Sequence, residues 1–213
     1  MRKITINLAA VAAFCIVVAS PALVSSSCAT PKTEQEDTTI IREDSGITAL
    51  KYSSPEVPAS IEFCGKTIDL SRFDRHERMD RELLAFTYMH STSLQMLKKA
   101  NRYFPIVEPI LKENGIPDDF KYLMVIESNM NPTARSSAGA AGLWQFMQGT
   151  GRDYGLEVNN NVDERYHIEK ATRAACRYLK DAYAKYKDWV AVAASYNAGQ
   201  ARIASQLAKQ DVD

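Results

Sequence analysis

The stretch Leu123-Met124-Val125-Ile126-Glu127-Ser128-Asn129-Met130-Asn131-Pro132 sets a carboxyl group at the end of an apolar run, directly before a turn. An acid there has no evident structural purpose. Carried into an apolar wall, its charged form loses hydration, so its pKa is expected to rise and the group to hold a proton near neutral pH. That is the starting state of a general acid. Upstream, Pro117, Asp118 and Asp119 form a helix-start signal, because acids near a helix amino end interact favourably with its dipole. Asn131-Pro132 ends the same helix and leaves Glu127 near its carboxyl end, where negative partial charge further disfavours the carboxylate.

On both sides of this stretch the pattern is helical, which predicts an all-α, mainly helical fold. Met79, Leu83, Leu84 and Phe86 recur at helical spacing, and Leu94, Met96 and Leu97 continue the apolar stripe. Pro105 opens a further helix ending at Gly115, with Ile106, Val107, Ile110 and Leu111 as its buried side. The small residues Gly139-Ala140-Ala141-Gly142 allow close backbone approach, or simply tight helix packing. Leu143-Trp144-Gln145-Phe146-Met147 then leads into a short helix stopping near Gly151. A long helix from about Ile168 to Tyr186 buries Ala171, Ala175, Leu179 and Ala182. The next, Val190 to Tyr196, is stopped by Asn197-Ala198-Gly199, and a last one runs from Gln200 toward Lys209. A short extended piece at Ile61-Glu62-Phe63 is broken by Gly65.

Composition bounds the rest. With 213 residues, 46% hydrophobic and 24% charged, the chain suits one packed domain plus an appendage. Setting aside Arg2 and Lys3 leaves 24 basic against 26 acidic residues, so no basic face for nucleic acid is expected. There is no internal repeat, no phosphate loop or other nucleotide motif, and no Cys or Ser nucleophile with a nearby base. Arg2 and Lys3 precede an apolar stretch from Ile4 through Ala19 that closes in small residues, which reads as an export signal over residues 1–27. Cleavage before Cys28, in Leu23-Val24-Ser25-Ser26-Ser27-Cys28, would leave a lipidated cysteine at the periplasmic face of a membrane. The pattern resembles a bacterial lipoprotein signal, except that Ser25 stands where a branched apolar residue is usual. Residues 28–60 read as a flexible tether, with the acidic cluster Glu34-Gln35-Glu36-Asp37. Cys64 and Cys176 are the two cysteines left to pair, and Cys176 in Ala174-Ala175-Cys176 reads as a buried helical thiol. His76, His90 and His167 lack metal-motif spacing, so no metal or other cofactor is expected.

Three segments stand together: Glu127-Ser128, Gly142-Leu143-Trp144-Gln145 and Ser195-Tyr196-Asn197-Ala198-Gly199. In this order and spacing the chain resembles the lysozyme-like lytic transglycosylases of the soluble-transglycosylase (SLT) group, especially the membrane-bound D type, over about residues 60 to 210. The resemblance implies a helical extension over 61–117 and a lysozyme-like catalytic domain over 118–213. It implies that Glu127 is the catalytic acid/base, that Ser136 contacts the sugar near the reacting centre, and that Gln145 lines the cleft. Met147 becomes an apolar rest for a saccharide ring, and Tyr196 and Asn197 the pair facing the acid. Without the resemblance Trp144 reads as core, and Glu127 with Tyr196 could form a buried structural pair.

Hydrolysis by a lysozyme generally uses two carboxyl groups, yet no second acid stands beside Glu127 in sequence. Asp153, Glu157, Asp163 and Glu164 cannot be placed in a cleft from spacing. The resemblance therefore implies a lytic transglycosylase acting on peptidoglycan glycan strands, with one acid and a 1,6-anhydromuramoyl product. The alternatives are a hydrolytic muramidase and an inactive peptidoglycan-binding remnant. Relatives usually continue past the equivalent of Asp213 to a further tyrosine motif, so the chain reads as shortened at its carboxyl end.

Overall fold

The computed structural model describes residues 54–210, which are mainly helical. The export signal, Cys28 and most of the 28–60 tether lie outside the described residues. The extended piece is one arm of an antiparallel hairpin, β1 (Ser60–Phe63) and β2 (Lys66–Asp69), in which Ile61 faces Ile68 and Phe63 faces Lys66. Cys64 and Gly65 turn the chain with left-handed φ of 52° and 76°. Seven α-helices follow among the described residues: α1 (Phe73–Tyr88), α2 (His90–Glu113), α3 (Lys121–Ser128), α4 (Gln148–Asp153), α5 (Ile168–Tyr186), α6 (Trp189–Ala198) and α7 (Gln200–Gln210). A single turn of 3-10 helix at Asp118–Phe120 leads into α3, where the acidic start signal lies.

Two expectations about the first helices are corrected. The break falls at Met89 (φ −79°, ψ 46°), and α2 runs unbroken through Pro105 and Pro109 to Glu113. A proline inside a helix removes one hydrogen bond to the carbonyl four residues back. Here those carbonyls belong to Asn101 and Pro105, both exposed, so water can serve them. The opposite side of α2 buries Tyr103, Phe104, Val107, Ile110 and Leu111, and that packing outweighs the local penalty. Leu94, expected to extend the apolar stripe, is instead 59% exposed.

The core is continuous from Phe63 through α2, α3 and the loop after α3 to α5 and α6. Helix α5 packs along α2 and α6, and α6 along α7. Small residues at its inner positions, Ala171, Ala174, Ala175, Cys176 and Ala182, let the helices approach closely, as the sequence pattern implies. Burial pushes the Cys176 thiol up to about 11, and no disulfide joins Cys64 to Cys176. The hairpin is fastened to the helices at three places. The Phe63 ring lies 6.1 Å from Phe120, whose other neighbour is Trp189 at 5.2 Å. The Cys64 N–H donates to Asp119 Oδ2 at 2.6 Å. Lys66 pairs with Asp188 at 2.7 Å, and Asp188 also caps α6 by accepting the Val190 N–H. A smaller cluster, Leu70, Met79 and Leu83, seats α1 against the hairpin. No helix among the described residues is long and apolar enough to cross a membrane.

Candidate active site

Glu127 is the last residue but one of α3, as the stop signal implies, and it is half-buried. The helix end is tightly closed behind it. Ser128 Oγ donates to the Met124 carbonyl at 2.9 Å, and the Asn129 N–H donates to Val125 O at 2.8 Å. Asn129 and Met130 then both adopt left-handed φ, 50° and 52°, with Met130 fully buried. Such angles are costly away from glycine. They are held because Leu123, Met124, Val125 and Met130 are locked into the core, and Glu127, one turn after Leu123 and Met124, lies at the half-buried edge of that same face.

The wall containing Ser136 and Gln145 is a folded loop rather than a helix. Isolated bridges join Arg135 to Ala141 and Ala141 to Phe146. Ser136 closes the turn below it: its N–H donates to Ala140 O at 2.9 Å, its Oγ accepts the Ala140 N–H at 3.0 Å, and its carbonyl accepts the Gly139 N–H at 3.0 Å. Gln145 sits at φ 49°, and its Nε2 donates to Gly142 O at 2.8 Å and Ala134 O at 3.2 Å. Two carbonyl acceptors fix which end of the amide is nitrogen, so Oε1 is the end held away from them. Met147 caps α4 and is 45% exposed, a thioether at the rim.

Trp144 is fully buried, and its indole N–H donates to Thr172 Oγ1 at 2.9 Å. Its carbonyl has a second task, accepting the Tyr196 hydroxyl at 2.7 Å. Tyr196 is partly buried against the core, 5.1 Å from the Tyr178 ring and 6.4 Å from Phe146. Its phenol is pushed well above its ordinary pKa, first by burial and then by the negative charge of Glu127. The Glu127 carboxylate therefore acts on Tyr196 through space, and Tyr196 is hydrogen-bonded to the residue before Gln145. Of the sequence-predicted residues this relates Glu127 and Tyr196 directly, and reaches Gln145 only through the backbone of its neighbour Trp144. Asn197 lies on α6, and its side chain is outside the described residues.

Two of the four acids that spacing could not place, Asp163 and Glu164, have defined ion-pair partners. Asp163 is bound by Arg165, whose hydrogen bonds hold its carboxyl below the usual carboxylate range. Glu164 accepts the Glu157 N–H and pairs with Lys170, and these contacts lower it too. Arg165 itself was not singled out by sequence reasoning. Its side chain is 1% exposed, with Nε and Nη2 on the two Asp163 oxygens at 2.9 and 2.7 Å, and Nη1 on the carbonyls of Gly139 at 2.8 Å and Phe146 at 2.9 Å. The only trace in the sequence is the Asp-x-Arg spacing just before α5, which an exposed ion pair would share. Among the described residues no group of His, Cys, Asp and Glu could hold a metal ion.

Residues 105–212 match the family described as Transglycosylase SLT domain. The chain is 31% identical over 128 residues to the membrane-bound lytic murein transglycosylase D of Escherichia coli, a stretch that is 60% of the chain and 27% of that protein. It is 33% identical over 93 residues, 42% of the chain, to the peptidoglycan transglycosylase gp16 of Escherichia phage T7, of which it covers 7%. The chain thus spans about a quarter of the length of the first of these relatives.

Proposed function

Because the chain belongs to the transglycosylase SLT family, we propose that it cleaves the β-1,4 bond between N-acetylmuramic acid and N-acetylglucosamine in peptidoglycan strands. The muramic acid closes on itself and leaves a 1,6-anhydro end. Glu127 begins protonated and gives its proton to the bridging oxygen as the bond from that oxygen to C1 breaks. The carboxylate so formed takes the proton from the C6 hydroxyl of the same sugar while that oxygen bonds to C1. Proton and carboxyl return to their starting state, and no water is consumed.

The observation that supports this reading is the Tyr196 hydroxyl, which binds the Trp144 carbonyl beside Gln145 and whose pKa is raised by burial and by the charge of Glu127. Since Tyr196 donates its own proton to that carbonyl, its hydroxyl oxygen retains acceptor capacity for a protonated Glu127. Ser136 Oγ already accepts an N–H, so it offers a sugar its O–H, while Gln145 offers Oε1. A donor and an acceptor on one wall suit the hydroxyl and acetamido groups of such a strand. Met147 and Asn197 complete the set, as ring support and as polar partner of the acid. Asp163 and Glu164 are engaged by Arg165 and Lys170, and Asp153 and Glu157 are exposed, Glu157 accepting from Asn159, which supports a single-acid mechanism.

The test is digestion of purified sacculi followed by mass analysis. Wild-type chain should release anhydro-muropeptides, and Glu127→Gln should release none while keeping its helical content and its pelleting with sacculi. Turnover by the amide variant would remove Glu127 from the role. Pelleting without release by the wild type would favour a glycan-binding remnant. The Escherichia coli relative is membrane-bound, and together with Cys28 after an apolar leader this supports placement in the cell envelope on a lipid anchor. Globomycin should block maturation, and a mature start beyond Cys28 would refute the anchor.

A further inference from the structure

Hiding a guanidinium requires that its donors be met, and four of the five N–H groups of Arg165 are engaged by Asp163, Gly139 and Phe146. Stability alone does not call for such an arrangement, since apolar packing in place of a buried ion pair is often as stable. What the guanidinium adds is geometry. Its Nη1 draws together two carbonyls seven residues apart, one at each end of the segment that holds Gln145. Its stem lies against Gly151 of α4, and its own carbonyl lies where a Cβ on Gly142 would be, at 1.9 Å. Ser136 is tied to one clamped end through the Gly139 N–H, while Gln145 and Met147 flank the other, Phe146.

We propose that Arg165, held by Asp163, is a positioning residue that sets the spacing of the Ser136–Gly139 turn and the Gly142–Met147 segment, and so the aim of Ser136 and Gln145 at the glycan. This rests on the proposed function for its substrate, though not for its geometry. The clamp reaches no sugar. It acts by fixing the backbone from which the glycan-facing groups project.

Arg165→Lys keeps the charge but cannot fork Asp163 and reach both carbonyls. Hydrogen exchange on the full chain should show the amides of Ala140, Ala141 and Gly142 opening about tenfold faster, with those of Ala175 and Leu179 unchanged. On soluble glycan strands, KM should rise about tenfold with helical content intact, and a cycle with Gln145→Ala should be non-additive, the double variant losing little beyond either single one. If Arg165→Lys fails to fold at 25 °C, Asp163→Asn, which frees the guanidinium from its fork, is read in the same way. Uniform acceleration of exchange, an unchanged KM, or full additivity with Gln145→Ala would overturn the proposal. Should the wild type release nothing from sacculi, the proposed function fails separately. The exchange pattern, with pelleting affinity in place of KM, then still decides for or against the clamp.

Discussion

Tyr196 carries two relations at once: its hydroxyl holds the Trp144 carbonyl at 2.7 Å, and the same oxygen sits in the field of Glu127. Tyr196→Phe should therefore do two separable things. Losing the bond to a buried carbonyl should cost about 1–2 kcal/mol in chemical denaturation, and loss of the acceptor facing Glu127 should lower turnover at least about tenfold. A stability loss with full turnover would make the tyrosine structural only. Gly142 and Gly139 make a paired test of the wall. Both have left-handed φ, 78° and 89°, but a Cβ at Gly139 meets open space while one at Gly142 meets the Arg165 backbone. Gly139→Ala should cost about 1 kcal/mol, and Gly142→Ala about 3 kcal/mol or more, as read by urea midpoints. Equal costs would mean that the close approach is not what demands glycine. Two placements were legible beforehand, Glu127 at a helix end and, as one of two readings, a close backbone approach at Gly142, whereas Tyr196 beside the acid was implied by the family resemblance and by no local pattern. Arg165 was not legible, because its burial depends on residues 139 and 146 folding back upon it, and no local pattern records that.

At the scale of elements, α5, α6 and α7 fell within a residue or two of their expected bounds, since alternation of small apolar and polar residues and the Asn197-Gly199 stop are local signals. Helix α2 did not, because a proline's local penalty was overridden by tertiary burial on the far side. Pro105→Ala restores the hydrogen bond to Asn101 O on an exposed face and should stabilise the chain by about 1–3 kcal/mol in thermal or urea unfolding. No gain, or a loss, would show that the ring itself contributes packing. The break at Met89 left no mark in composition. It is fixed by the turn, where Ser93 Oγ donates to the Phe86 carbonyl.

For the whole molecule, the hairpin, α2 and the later helices share one core, so the wall of the site is as stable as the contacts that hold it in place. One of these is sensitive to acid. The folded pKa of Asp163 lies below its unfolded value near about 4, so its contribution is complete above that pH and is lost as pH falls through the folded value. The wild type should lose stability on acidification below about pH 4, and Asp163→Asn should be less stable at neutral pH with a flatter acid limb. An unchanged acid limb in that variant would assign the loss to other carboxylates. The central claim concerns what attacks C1 once Glu127 has given up its proton. Digestion of sacculi in water enriched in oxygen-18, with mass analysis of the released ends, reads this directly. The account predicts anhydro ends free of label, and reducing ends carrying oxygen-18 would contradict it.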